Sequence, residues 1–211
     1  MRENYKTIGN GKESEITIQK SRFIAHAKRA ETEKEALEFI DSIKAQHKSA
    51  NHNCSAYMIG EHDSIQKAND DGEPSGTAGV PMLEVLKKQG LKDTVVVVTR
   101  YFGGIKLGGG GLIRAYGKAT TEAIAAAGVV ERRLHCLMNV QVDYTWLGKI
   151  ENEIRQSDFP LKEILYTEGV ELLINVPVEQ EQQFSDWINE MTNGQVKIVC
   201  QEKEFLEFKI S

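Results

Sequence analysis

The feature that most limits what this chain can become is a glycine cluster held between an apolar run and a helical pattern. It reads Arg100-Tyr101-Phe102-Gly103-Gly104-Ile105-Lys106-Leu107-Gly108-Gly109-Gly110-Gly111-Leu112-Ile113-Arg114-Ala115-Tyr116, and six of the protein's 18 glycines fall within nine of these residues. The preceding Thr94-Val95-Val96-Val97-Val98-Thr99 has the continuous β-branched character of a strand buried on both faces. Beyond the glycines, Leu112, Ala115, Ala119, Ala123 and Ala126 make a stripe of mostly small residues, and Gly128 fits the helix end. Glycine at a strand-to-helix junction means backbone that must approach something closely, either a ligand or another segment.

Cations flank the cluster. Lys106 and Arg114 stand beside the free N–H groups of a helix start, and Lys118 lies one turn beyond Arg114. The stretch is not a Walker A loop, because no Gly-Lys-Ser/Thr follows at the required spacing. It is not a Rossmann fingerprint either, since Ile113 takes the place of the third glycine. A looser analogy with the glycine-rich loop of galactokinase-type kinases lacks their serine-rich loop. What remains is an anion site formed by Arg100, Lys106, Arg114, Lys118 and the backbone of Gly108, Gly109, Gly110 and Gly111, with Tyr101 placed to stack on a base. The structural alternative is a tight crossover that lets the helix pack.

A second turn-rich motif precedes the valine run: Asp70-Asp71-Gly72-Glu73-Pro74-Ser75-Gly76-Thr77-Ala78-Gly79. Asp70, Asp71 and Glu73 are candidate oxygen ligands for a divalent ion, against the plainer reading of an Asp-Gly turn with solvated carboxylates. Ser75 and Thr77 have no neighbouring base in sequence, so Thr77 is read as the N-cap of a helix with Pro81 in its first turn. His52 and Cys54 alternate along a strand start and are candidates for a thiol–imidazole pair. No histidine spacing matches a metal site. No enzyme signature is complete, so no catalytic residue, metal or cofactor is assigned and enzyme activity stays open.

The rest of the chain supplies two α+β domains. Residues 14–19 and 22–27 read as neighbouring strands, Thr32 with Glu35 as a capping box, and Ala36, Leu37, Phe39, Ile40 and Ile43 as an inward helix face. After Gly128 the pattern restarts as β-α-β-β-α-β, the ferredoxin-like split motif, giving domains at 1–133 and 134–211. Charge divides with them: 20 Lys+Arg against 17 Asp+Glu in residues 1–133, and 6 against 14 in the remainder. A polyanion contact therefore belongs to the first part, while the acidic second part is suited to a basic protein partner. Cys54, Cys136 and Cys200 are odd in number, far apart and without a CxxC, which reads as reduced thiols in a cytoplasm. No apolar run approaches a membrane span, and the opening residues carry no secretory h-region.

The motifs at 70–79 and 100–116 together closely resemble the Impact family, also called the YigZ family, in the whole-chain arrangement of its bacterial members. The resemblance implies an N-terminal βαββαβ-type domain like the second domain of a small-subunit ribosomal protein. It also implies a C-terminal ferredoxin-like sandwich similar to the last domain of elongation factor G. Eukaryotic members are translational regulators acting through protein partners, so the implied function is a non-catalytic, translation-associated regulator binding RNA, the ribosome or a translation partner. The alternative is a phosphometabolite- or nucleotide-binding enzyme that uses the glycine loop, with a divalent ion on Asp70, Asp71 and Glu73.

Overall fold

The computed structural model describes residues 4–9 and 11–210, which divide into two compact units. Asn4–Arg132, joined by residues 208–210, form the first, and Arg133–Glu207 form the second. Among the described residues, no helix is long and apolar enough to cross a membrane.

In chain order the first unit contains β1 (Tyr5–Ile8), β2 (Lys12–Ile18), β3 (Ser21–Arg29), α1 (Glu33–Gln46), β4 (His52–Ile59), β5 (Ile65–Asn69), α2 (Gly79–Gln89), β6 (Thr94–Tyr101), α3 (Gly108–Ala127) and the start of β7 (Val129–Val142). Five strands form an antiparallel sheet in the order β2-β3-β6-β4-β5. The valine run is its central strand. Val95 and Val97 face α1 together with Tyr57 and Ile59, while Val96 and Val98 face α2 and α3 with Ala56 and Met58. All four valines are fully buried, so each contributes about 2 kcal/mol of apolar burial.

The helices follow from local chemistry with two departures. Thr32 accepts from the Glu35 N–H at 3.2 Å, and Glu35 reaches back to the Glu31 N–H at 2.9 Å, so the capping box closes one residue early. Leu37, expected inward, is 48% exposed, while Ala36, Ile40 and Ile43 are buried. On α3, Ala115, Ala119 and Ala123 lie against the sheet as the stripe predicts, with the fully buried Tyr116 beside them. Gly128 ends the helix at φ +76°.

The second unit continues with α4 (Tyr144–Gln156), β8 (Leu161–Tyr166), β9 (Val170–Pro177), α5 (Glu181–Met191) and β10 (Lys197–Lys209). β9 lies between β7 and β8, and β10 pairs with β7, which is the strand order of the split motif. Ile150, Ile154, Phe184 and Ile188 from the two helices cover alternate residues of β7 and β9, among them Met138, Val140, Leu172 and Ile174. The last strand of the motif, β10, runs unbroken over Lys197–Lys209.

The cysteines depart from the sequence expectation. Cys136 and Cys200 are joined by a disulfide, their Cα atoms 5.9 Å apart, and Cys54 alone is free and buried. Pairing β10 with β7 brings together two residues separated by 64 positions, a proximity that spacing along the chain does not reveal.

Candidate functional site

The acidic motif is organised from within. Asp70 accepts the N–H groups of Gly76 (2.7 Å), Ala78 (3.0 Å) and Gly79 (2.8 Å), which folds the turn and caps α2 from nine residues away. Burial raises its pKa, but the three N–H donors more than reverse this and hold the carboxyl below its ordinary value. Thr77, expected to cap α2, instead donates its hydroxyl to the Pro74 carbonyl at 2.6 Å. Ser75 is exposed. Asp71 binds Lys44 at 3.1 Å and the Asn53 N–H at 2.7 Å.

Glu73 turns inward. Its side chain accepts from Arg100 Nη1 at 2.6 Å and from the Tyr116 hydroxyl at 2.8 Å, with His52 Nε2 at 3.8 Å from its second oxygen. The three carboxylates thus serve three separate sets of partners. Among the described residues, the single converging group of three potential ligand side chains is Cys136, Glu181 and Cys200 in the second unit, and two of these are tied up in the disulfide. The divalent-ion arrangement of Asp70, Asp71 and Glu73 is not formed.

The thiol–imidazole pair is not formed either. Cys54 donates its thiol to the Asp70 carbonyl at 3.0 Å, and burial pushes its pKa up to about 12. His52 Nδ1 lies 2.9 Å from the Asp71 carbonyl, which can only accept, so Nδ1 carries the proton and Nε2 faces Glu73. Both side chains are taken up by the backbone of the neighbouring loop.

The side chains expected at the anion site separate into three groups. Arg100 is 5% exposed and ion-paired to Glu73, so it is not the surface phosphate contact that its sequence position suggests. Its Nη2 reaches Ser21 Oγ at 3.4 Å, and its Nε has no partner among the described residues. Tyr101 points to the opposite face of the sheet, where its hydroxyl meets His47 Nδ1 at 3.0 Å and Arg22 covers its ring. Strand alternation separates it from Arg100. Lys106, Arg114 and Lys118 are exposed and make no ion pair among the described residues.

Phe102 is the aromatic ring on the site, where Tyr101 had been expected. It is 45% exposed, the Arg100 guanidinium lies 5.5 Å from its centroid, and its N–H donates to Asn51 Oδ1 at 2.8 Å. The period of two in a strand puts residues 100 and 102 on one side, so the signal was present in the sequence. Asn51 and Tyr116 carried no comparable signal, since both are recruited by tertiary contacts.

The glycines differ in what they do. Gly103 lies against the β2–β3 turn, where Gln19 and Lys20 both take positive φ (45° and 64°), and an added Cβ would overlap the Lys20 carbonyl group. Gly108 opens α3 at φ +67°. Gly109 and Gly110 need neither freedom: their φ is ordinary, and an added Cβ would come no closer than 3.9 Å and 3.6 Å to a side-chain atom. The first N–H groups of α3, like those of any helix, have no intrahelical partner, and among the described residues no side chain caps them. Beside this helix start lies a cavity of about 440 Å³ whose lining includes Asn51, His52, Glu73, Arg100, Phe102, Lys106, Gly108 and Gly109.

Comparison with known proteins supplies the lineage. The Impact N-terminal domain matches residues 19–124, and a domain of unknown function (DUF1949) matches residues 140–195. IMPACT family member YvyE of Bacillus subtilis is 61% identical over 207 residues, covering 98% of this chain and 95% of that protein. IMPACT family member YigZ of Escherichia coli is 34% identical over 188 residues, covering 88% and 92%. A Saccharomyces cerevisiae protein IMPACT homolog is 36% identical over 98 residues, covering 44% of this chain and 37% of its own length. A solved structure described as that of an hypothetical protein shares 31% identity at a TM-score of 0.61, covering 96% of this chain and 99% of its own. With matching domains over both units and a near full-length relative at this identity, the chain belongs to the IMPACT family.

Proposed function

We propose that the chain is a translation-associated regulator that binds RNA through its first unit and catalyses no reaction. The observation that carries this reading is the uncapped N-terminus of α3 with Lys106 beside it and Arg114 and Lys118 further along the helix, all three exposed and without an ion pair among the described residues. Helix N–H groups and unpaired cations are the components of phosphate contact, and single-stranded RNA offers both phosphates and open bases. The implied likeness of the two units to ribosomal-protein and elongation-factor domains is consistent with this reading.

The test is binding of the full chain to single-stranded RNA and to ribosomal fractions across a salt series. Three neutralised phosphates correspond to a log–log slope of about −2, at about −0.7 per contact on a single strand. Salt-independent binding, or none to either target, overturns the reading. The enzyme alternative has less support, because Asp70, Asp71 and Glu73 are each occupied by protein partners.

A further inference from the structure

Cys136, Cys200 and Glu181 meet in the second unit from three directions. Cys136 lies on β7 and is fully buried, and Cys200 lies on β10. Glu181 opens α5 directly after the 3-10 turn Val178–Gln180 that follows β9. Their sulfur and carboxylate oxygen atoms all lie within 4.8 Å of one another. The bond between the two sulfurs accounts for their own proximity but not for the carboxylate's. A disulfide carries no proton, so it gives Glu181 no hydrogen bond.

The reduced pair has a different chemistry. Two thiolates and a carboxylate are three anionic donors that zinc accepts, and donors on one zinc ion stand about 3.6–3.8 Å apart at ordinary Zn–S and Zn–O distances. No sulfur–oxygen separation exceeds that spacing by more than about 1.2 Å. Breaking the S–S bond lets the sulfurs separate to it. Spacing along the chain conceals the set, because the cysteines are 64 residues apart.

Charge supports the same arrangement. Glu181 is ion-paired to Lys203 at 2.8 Å, so the carboxylate and the ammonium cancel. Exchanging a neutral disulfide for one Zn²⁺ and two thiolates leaves the local sum unchanged. The carboxylate has two oxygens, so one can keep Lys203 while the other meets the metal. Cys200 and Glu181 are half-buried, which leaves a route for the ion and room for a water as fourth ligand. Met138 Sδ lies 3.3 Å from Cys136 Sγ, and a thioether with two thiolates would suit copper(I). The hard anionic oxygen of Glu181 favours zinc.

We infer that Cys136, Cys200 and Glu181 form a redox-gated zinc site, closed while the disulfide stands and opened by its reduction. A small-molecule thiol attacks the half-buried Cys200 sulfur, giving a mixed disulfide and releasing Cys136 as a thiol. A second small thiol displaces the first, which leaves as a small-molecule disulfide and frees Cys200 as a thiol. Two thiols are thereby oxidised, and the protein gains two electrons and two protons. Zinc then displaces both cysteine protons into solvent. Disulfide and zinc exclude each other, since each needs both sulfurs. The site lies wholly in the second unit and does not depend on the RNA-binding reading.

The experiment titrates the full chain with Zn²⁺, and with Co²⁺ as a spectroscopic probe, in two states. One is oxidised, and the other is reduced with a phosphine that leaves no competing thiol. The reduced chain should bind one zinc and show thiolate-to-cobalt charge transfer with the visible bands of a tetrahedral ion, and the oxidised chain should show neither. Zinc should raise the melting midpoint of the reduced chain alone. Glu181→Gln, which keeps both cysteines, should weaken zinc binding by about tenfold or more, and Met138→Leu should leave it unchanged. Cys200→Ser should remove the cobalt charge transfer or reduce it to that of one thiolate. No zinc on the reduced chain, equal binding in both redox states, or an affinity indifferent to Glu181→Gln overturns the inference. Copper(I) binding that Met138→Leu abolishes and Glu181→Gln leaves intact, with no zinc binding, overturns it as well.

Discussion

Glu73 joins two elements that the sequence presents separately: it accepts from Arg100 on the central strand at 2.6 Å and from Tyr116 on the glycine-led helix at 2.8 Å. The pair is buried, with side-chain exposures of 6% and 3%. Removing one member leaves the other charge unpaired in a low-dielectric interior, which costs about 3–5 kcal/mol. Glu73→Gln and Arg100→Met should each lose about that much in chemical denaturation. The double variant should lose less than the sum of the two, because no lone charge remains. Additive losses would show that the two groups do not act as a pair.

The glycines should divide by sign. Gly109→Ala adds a good helix former where there is room, so stability should rise by up to about 1 kcal/mol. Gly103→Ala would drive a Cβ into the Lys20 carbonyl group and should cost about 3 kcal/mol. Urea unfolding of the two variants reads the difference. A Gly109 variant as damaged as the Gly103 variant would mean that both glycines serve packing.

Phe102 and Tyr101 should separate function from structure. Tyr101→Phe removes a hydroxyl that meets His47 on the face of the sheet away from the cavity, so it should cost about 1 kcal/mol of stability and leave RNA affinity unchanged. Phe102→Ala removes a half-exposed ring and should weaken RNA binding by about 1–3 kcal/mol, with a smaller effect on folding. The reverse pattern in anisotropy and thermal melts would return the stacking role to Tyr101.

How much of this was legible in the sequence depends on the range of the interactions. The valine strand, the Thr32 cap, the alanine stripe and Gly128 are local patterns, and each formed nearly as read. Asp70 capping α2 from nine residues away was not legible, because a cap is sought in sequence immediately before its helix. Glu73 reads as a solvated turn carboxylate until the fold brings Arg100 and Tyr116 to it across 27 and 43 residues. Tyr101 was a different kind of miss. Its ring type was right for stacking, but strand alternation, already implied by the valines, puts the neighbouring Phe102 on the cavity side.

The acid limb of the stability curve should depend on Asp70. Its folded pKa lies below the ordinary value of 3.8. It therefore contributes stability that is fully present above that value and is lost as pH falls through the lower folded pKa. Asp70→Asn should flatten this loss below about pH 4 while lowering stability at neutral pH, because an amide oxygen is a weaker acceptor for three N–H groups. An unchanged acid limb in pH-dependent melts would move the acid sensitivity to another carboxylate.

The Cys136–Cys200 disulfide should stabilise one unit and not the other. Both cysteines lie in the second unit, on β7 and β10, and the bond closes a loop of 64 residues. In the chain-entropy account a closed loop of that length restricts the unfolded state by about 4 kcal/mol. Cys200→Ser, or treatment with a thiol reductant, should therefore lower the unfolding midpoint of the second unit. Amide exchange in β3, β6 and α3 should remain slow, since these elements belong to a separate core. Cys54→Ala does the opposite job as a control. It removes a buried thiol from the first core without touching the disulfide, so its destabilisation should appear in β4 and β6 and be independent of reductant. If reductant slows or speeds exchange equally in both units, the bond acts on the whole chain and the two-core description fails.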